Sequence, residues 1–307
     1  MEKTNKQNLK RIIIYLGVTF GLTWAYCLFI LYPLVNGEAL NGIPAIATQL
    51  MVAAVMFFPT IGVLLTRIIT REGFKDVWLK PNIRKNVRVY FLAWFGPGVL
   101  TIIGSALYFL LFKGSFDAGC GYMRLTLEAA GTPADAIPMP LSMLLMIQCV
   151  QAFFLSPILN FVTCFGEEWG WRGYLLPKMT KQLPTVPMLL LTGVIWGLWH
   201  APLTAIGHNY GMGYAGFPFT GIAMMCVFCV VMGVFLSYLS LKTKSCIPAI
   251  LGHGAINGIG AIGMYFTTNG GNPFVGPAPT GIVGLIPFII VAVFMVVHLQ
   301  RHKKEMV

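Results

Sequence analysis

Two adjacent carboxylates, Glu167 and Glu168, stand in the run Phe165-Gly166-Glu167-Glu168-Trp169-Gly170-Trp171-Arg172-Gly173-Tyr174. Carboxylates and imidazoles are the groups that most often take up and return protons in hydrolytic chemistry. On a helix, residues four apart share a face, while neighbours diverge by about 100°. Glu168 therefore meets Arg172, which neutralises and holds it, whereas Glu167 points away and is free to accept a proton. His200 closes Trp196-Gly197-Leu198-Trp199-His200, on the same face as Trp196. His253 and Asn257, also four apart, present two polar groups to one point.

The elements that must position these residues are set by composition. Of 307 residues, 57% are hydrophobic and 10% charged, against about 25% charged in soluble domains. A soluble particle so poor in charge would expose large apolar patches, which soluble proteins avoid. The expected fold is all-α and polytopic, with about eight apolar runs long enough to span a bilayer. They cover 12–35, 43–68, 89–112, 141–177 with an interruption near Pro157, 184–206, 218–241, 246–267 and 280–299. The fourth, at about 55 Å if straight, exceeds one span, so its first part reads as a separate tilted or interfacial helix. The run from Ile12 to Val35 is too long for the apolar core of a signal peptide and reads as a retained span, although Ala45 and Ala47 form an A-x-A beyond it.

The net charge of +11 is dispersed among apolar runs, which excludes a nucleic-acid stripe and marks topology instead. Lys3, Lys6, Lys10, Arg11, Arg67, Arg71, Lys75, Lys80, Arg84, Lys85, Arg88, Arg172, Lys178, Lys181, Lys242, Lys244, Arg301, Lys303 and Lys304 fall on one side of an eight-span arrangement, leaving Lys113 and Arg124 opposite. Both termini are therefore expected to be cytoplasmic. The connections, about 69–88 and 113–140, are too short for separate cores, so 1–307 reads as a single integral membrane domain with a motif-bearing core at about 141–267. Seven cysteines, Cys27, Cys120, Cys149, Cys164, Cys226, Cys229 and Cys246, form no disulfide or thiolate-metal pattern. Cys226 and Cys229 read as small packing residues.

Ionisable groups inside spans are costly and usually face a cavity or a partner helix. Measured from Lys178, Pro187 and Lys244 at 1.5 Å per residue, Glu167 lies about 16 Å deep, His200 about 20 Å, and His253 and Asn257 about 14 and 20 Å. The pairs Gly193/Gly197 and Gly254/Gly258 let helices approach closely. One intramembrane cluster is expected. A lone histidine in a span often only bonds a neighbouring carbonyl, but a second adjacent buried carboxylate has no such structural use. Trp169, Trp171, Trp196 and Trp199 read as packing or interface aromatics or as walls of a groove. His208, His298 and His302 read as surface residues.

At these motifs the sequence resembles the CPBP family, which groups type II CAAX prenyl endopeptidases with bacterial relatives linked to bacteriocin processing and immunity. The family's E-E-x-x-x-R is matched by Glu167 to Arg172, its aromatic-x-x-x-His by Trp196 to His200, where Phe is commoner, and its His-x-x-x-Asn by His253 to Asn257. The resemblance implies an eight-helix intramembrane glutamate protease: Glu167 activating a water with His200, His253 and Asn257 donating to the oxyanion, and Glu168 and Arg172 orienting the site. It implies no cofactor and a membrane-associated peptide or protein as substrate, with lipid as the other partner and the bacterial plasma membrane as the location. Zinc held by Glu and two His is the second reading, disfavoured because no H-E-x-x-H is present. A proton-coupled transporter or a noncatalytic immunity protein is the reading from another class. Mass spectrometry of the purified active protein should find no stoichiometric metal; a zinc whose removal abolishes activity would overturn the preference.

Overall fold

The computed structural model describes residues 2–36 and 45–302. The first two residues of the second apolar run, the side chains of Lys3 and Ala45, and Lys303 and Lys304 lie outside what is described. Among the described residues no β-strand forms, and ten principal helices carry the chain. Helix α1 (Glu2–Tyr26) continues through a π turn, Cys27–Leu31, into Tyr32–Asn36. Helix α2 joins Ala45–Ala54 to Phe58–Ile69 through a 3-10 turn at Val55–Phe57, with Pro59 in the first turn of the second half, where a missing N–H costs least. Helices α3 (Val87–Leu111) and α4 (Gly121–Ala129) follow.

The long fourth run breaks where length demanded. Helix α5 (Leu141–Phe154) ends before a short turn at Ser156–Leu159, and α6 (Phe161–Gly170) then runs through a π turn, Trp171–Leu175, into Leu176–Met179. Helix α7 (Thr185–Trp199) stops at His200 and is followed by the short Ala201–Thr204. Helices α8 (Phe219–Thr243), α9 (Ile247–Ile259) and α10 (Ile282–Arg301) complete the bundle.

Six helical runs among the described residues are long and apolar enough to cross a membrane: Asn5–Val35, Gln49–Ile69, Val87–Leu111, Phe219–Thr243, Ile247–Phe266 and Ile282–Arg301. Leu141–Phe154 and Thr185–Trp199 are apolar but shorter. The chain is thus an all-α polytopic membrane protein in which two of the eight expected spans are short. Its outer surface fits lipid: Phe29, Leu110, Phe219 and Phe294 are 70–79% exposed, which in water would be an aggregation liability.

Glycines allow the helices that carry the polar motifs to close on their neighbours. A Cβ on Gly193 or Gly197 would lie 2.5 Å from the Cα of Val230 or Cys226 on α8. One on Gly166 would meet the Met56 carbonyl at 2.6 Å on α2, and one on Gly258 would meet Ser156 at 2.1 Å. Both small-residue pairs read from the sequence are therefore helix contacts. The break before α6 is pinned by Asn160, whose Nδ2 donates to the carbonyls of Ser156 and Gly254, each at 3.1 Å. Cys120 is buried with Met123 and Leu145 in a small separate core.

The far end of α6 is tied down by Glu72, just beyond α2. Its carboxylate accepts from Lys178 and from the Tyr174 hydroxyl, the latter at 2.7 Å, and lies 3.5 Å from Arg11 Nε. Burial alone would raise this carboxyl, but the bonds from Lys178 and Tyr174 and the charges of Lys178 and Arg67 outweigh it and hold it below the usual range. Burial nevertheless lowers Lys178 despite the same partner, with Arg67 and Arg11 adding to the fall. The two shifts point to opposite net effects; the carboxylate's governs acid behaviour, because acidification removes the charge of a carboxylate and not that of an ammonium. With the folded carboxyl below its unfolded value of about 4.3, its stabilisation is complete above that value and is lost as pH falls through the folded one. Glu72→Gln should cost about 3 kcal/mol at neutral pH, read as a lower melting temperature in detergent, and the gap between variant and parent should close as the medium is acidified below about pH 4.3.

Candidate active site

Glu167 and Glu168 are both buried on α6, 2% and 0% exposed, but their surroundings differ. Glu168 Oε1 accepts from Arg172 and from His253 Nδ1, each at 2.9 Å. Its other oxygen is buried without a protein partner. Arg172 lies inside the π turn and keeps the expected i, i+4 bond. Glu167 Oε2 accepts one bond, from Trp196 Nε1 at 2.9 Å, and the carboxylate lines a cavity of about 1160 Å³. The two carboxylates thus divide as their helical phase predicts: one locked into the protein, one facing open space.

His200 sits where α7 ends. Its Nδ1 is 2.8 Å from the Trp196 carbonyl, which can only accept, so the proton resides on Nδ1 and the neutral ring presents Nε2 as an acceptor. His253 is arranged differently. With Nδ1 donating to the Glu168 carboxylate, its Nε2 is left for the cavity, where it is a donor when the ring carries both protons. Asn257, one turn along α9, is exposed to the same cavity, and its Nδ2 lies 3.6 Å from Cys164 Sγ. Glu167, His200, His253 and Asn257 therefore line one cavity, while Glu168 and Arg172 stand behind them.

Trp196 joins these parts, a role that the packing and groove readings of the sequence did not assign. Its N–H holds Glu167, and its ring lies 4.3 Å beneath the Arg172 guanidinium. The same ring stands edge-on to His200 and His253 at centroid distances of 5.7 and 5.4 Å. Trp199 is fully buried, donates to Thr23 Oγ1 at 2.7 Å and walls the His200 ring at 4.7 Å. Trp169, by contrast, bonds the Val77 carbonyl, and Trp171 packs on Tyr15, so both are structural. The signal for Trp196 lay in its spacing: four residues before His200 puts carbonyl and imidazole in reach. His208, read as a surface residue, is exposed and also lines the cavity. Cys229, read as a packing residue, is buried against the His200 ring, its Sγ 3.8 Å from His200 Nδ1.

Among the described residues no three of His, Cys, Asp and Glu are grouped so as to hold a metal ion. The bonds at His253 Nδ1, His200 Nδ1 and Glu167 Oε2 leave each ring's Nε2 and one Glu167 oxygen for the cavity. Glu167, His200 and His253, the zinc set of the second reading, are not so grouped, and no step is routed through a metal.

A helical membrane bundle with a carboxylate, two histidines and an amide around one internal cavity is the class that fold and site define. Residues 149–259, which carry all three motifs, match the family described as type II CAAX prenyl endopeptidase Rce1-like. A CAAX prenyl protease 2 from Methanococcus maripaludis is 30% identical over 92 residues, 30% of this chain and 34% of that protein. The aligned part is thus about a third of the length of the curated relative.

Glu168→Gln should destabilise the protein by about 3–5 kcal/mol, because it leaves Arg172 buried without its counter-charge. Glu167→Gln, which disturbs one hydrogen bond, should cost no more than about 1–2 kcal/mol. Thermal unfolding of the two variants in the same detergent compares them directly, and equal losses would contradict the division of roles.

Proposed function

We propose that this chain is an intramembrane endopeptidase that hydrolyses a peptide bond of a membrane-associated peptide or protein with a water activated by Glu167, and that it needs no metal. The observation that carries the reading is the asymmetry of the carboxylate pair. Glu168 is spent on Arg172 and His253, whereas Glu167 keeps one oxygen unbonded by protein and faces the cavity that His200, His253 and Asn257 share.

In the proposed reaction Glu167 takes a proton from water as the water oxygen bonds to the scissile carbonyl carbon. His200 Nε2 accepts the second water hydrogen bond and orients the attack. The carbonyl oxygen becomes an oxyanion, which His253 Nε2–H and Asn257 Nδ2–H stabilise where charge develops. Collapse of the tetrahedral intermediate breaks the C–N bond, and the proton held by Glu167 passes to the leaving amine. Glu168 and Arg172 keep His253 and the Trp196 ring in place. We place the protein in a bacterial plasma membrane with both termini cytoplasmic, as the basic residues suggest.

Glu167→Ala should reduce cleavage at least about 100-fold while the protein still inserts and folds. Asn257→Ala should lose about 100- to 1000-fold, the scale for one oxyanion donor. Comparing membrane peptidomes of cells carrying parent and Glu167→Ala protein reads both activity and substrate. Unchanged peptidomes, with any immunity phenotype intact in the variant, would support a noncatalytic role instead.

A further inference from the structure

The cavity is one-sided. From Glu167, Trp196 and His253 at its floor it passes between Val52 and Met56 of α2 and Met225 and Phe228 of α8. It reaches the loops at 207–211 and 269–280, beside Gln49 at the start of α2 and Tyr122 of α4. No residue of the connections at 70–86, 180–184 or 242–246 lines it. Those connections, at the other ends of the same helices, hold eight of the chain's 21 lysines and arginines: Arg71, Lys75, Lys80, Arg84, Lys85, Lys181, Lys242 and Lys244. On the side where the cavity opens, 113–140 has only Lys113 and Arg124, and 205–218 and 260–281 have no lysine or arginine. Because lysine and arginine are retained on the cytoplasmic side of short loops, the mouth and the basic face lie on opposite sides of the bilayer.

The lining also restricts what can enter. Among the described lining residues there is no lysine or arginine, and Glu167 is the one carboxylate, at the floor. Met56, Met225, Met232 and Met264 supply adaptable apolar walls. An acidic side chain beside the scissile bond would meet Glu167 in a weakly screened site with no lysine or arginine lining the cavity to offset it.

Resting on the proteolytic reading, we propose that the active-site cavity is fed from the non-cytoplasmic face and takes an apolar peptide segment, free of acidic side chains near the cleaved bond, that has been inserted in or carried across the membrane.

Sidedness is tested without any activity. Met212→Cys, beside the mouth, and Lys75→Cys, on the basic face, are both exposed positions. Treated in intact cells with a membrane-impermeant maleimide, Met212→Cys should label above the parent chain, whose cysteines are free, and Lys75→Cys only after permeabilisation. The reverse pattern overturns the proposal. Right-side-out and inverted membrane vesicles are then given a quenched fluorogenic peptide with an apolar centre and lysine-flanked ends, which keep it from crossing the bilayer. Cleavage is expected in right-side-out vesicles, absent with Glu167→Ala, and at least about tenfold slower when Glu residues flank the scissile bond. Cleavage confined to inverted vesicles, or indifference to the flanking Glu, overturns it. Cleavage in neither orientation removes the proteolytic reading and the substrate class together, while the labelling pattern decides the sidedness.

Discussion

A carboxylate with no exposure to solvent must be compensated from within, and Glu168 is the charge on which the centre of this bundle depends. Removing an ion from water costs several kcal/mol even after relaxation. Here it is met by a guanidinium from its own helix and an imidazole from α9, both on one oxygen. Because Arg172 also lies over the Trp196 ring, the compensation extends to α7. Three helices are thus held in register by a single buried charge, and the glycines on their faces allow the approach that short, charge-assisted bonds require.

The tryptophan at 196 gives this chain a feature that the commoner phenylalanine of the resembled family would lack. A phenyl ring could lie under a guanidinium and beside two imidazoles, but it has no N–H for a carboxylate. In this protein Glu167 is held by that donor and keeps one oxygen for the cavity. One side chain therefore connects the charge that is structural with the charge that is free.

Much of this was legible in the sequence because helical phase is simple geometry. The i, i+4 relation predicted the Glu168–Arg172 bond and separated it from Glu167, and the small-residue pairs marked helix contacts that the structure contains. Depth counting brought Glu167, His200, His253 and Asn257 to one level, and they line one cavity. What stayed hidden depends on contacts between distant segments. The bond from His253 to Glu168 spans 85 residues, and the pinning of the α6 break by Asn160 spans 94. His208 is the exposed loop residue that the sequence suggests, but loop position carries no information about which way a loop folds over a cavity. The end of α7 at His200, within an apolar run that continues to 206, had no marker except Pro202.

The shortness of α7 has a consequence for the lipid around it. Its 15 residues reach about 22 Å, whereas the hydrocarbon core is about 30 Å thick. Leu190, Leu191, Val194 and Leu198 are exposed on its outer side, so it is not sheltered by neighbouring helices. Acyl chains next to such a helix must shorten or disorder to match it, at a cost of a fraction of a kcal/mol per Å of mismatch. The bilayer is therefore dimpled beside this helix, and a peptide backbone travelling to the buried carboxylate has less oil to displace there than beside the full-length spans.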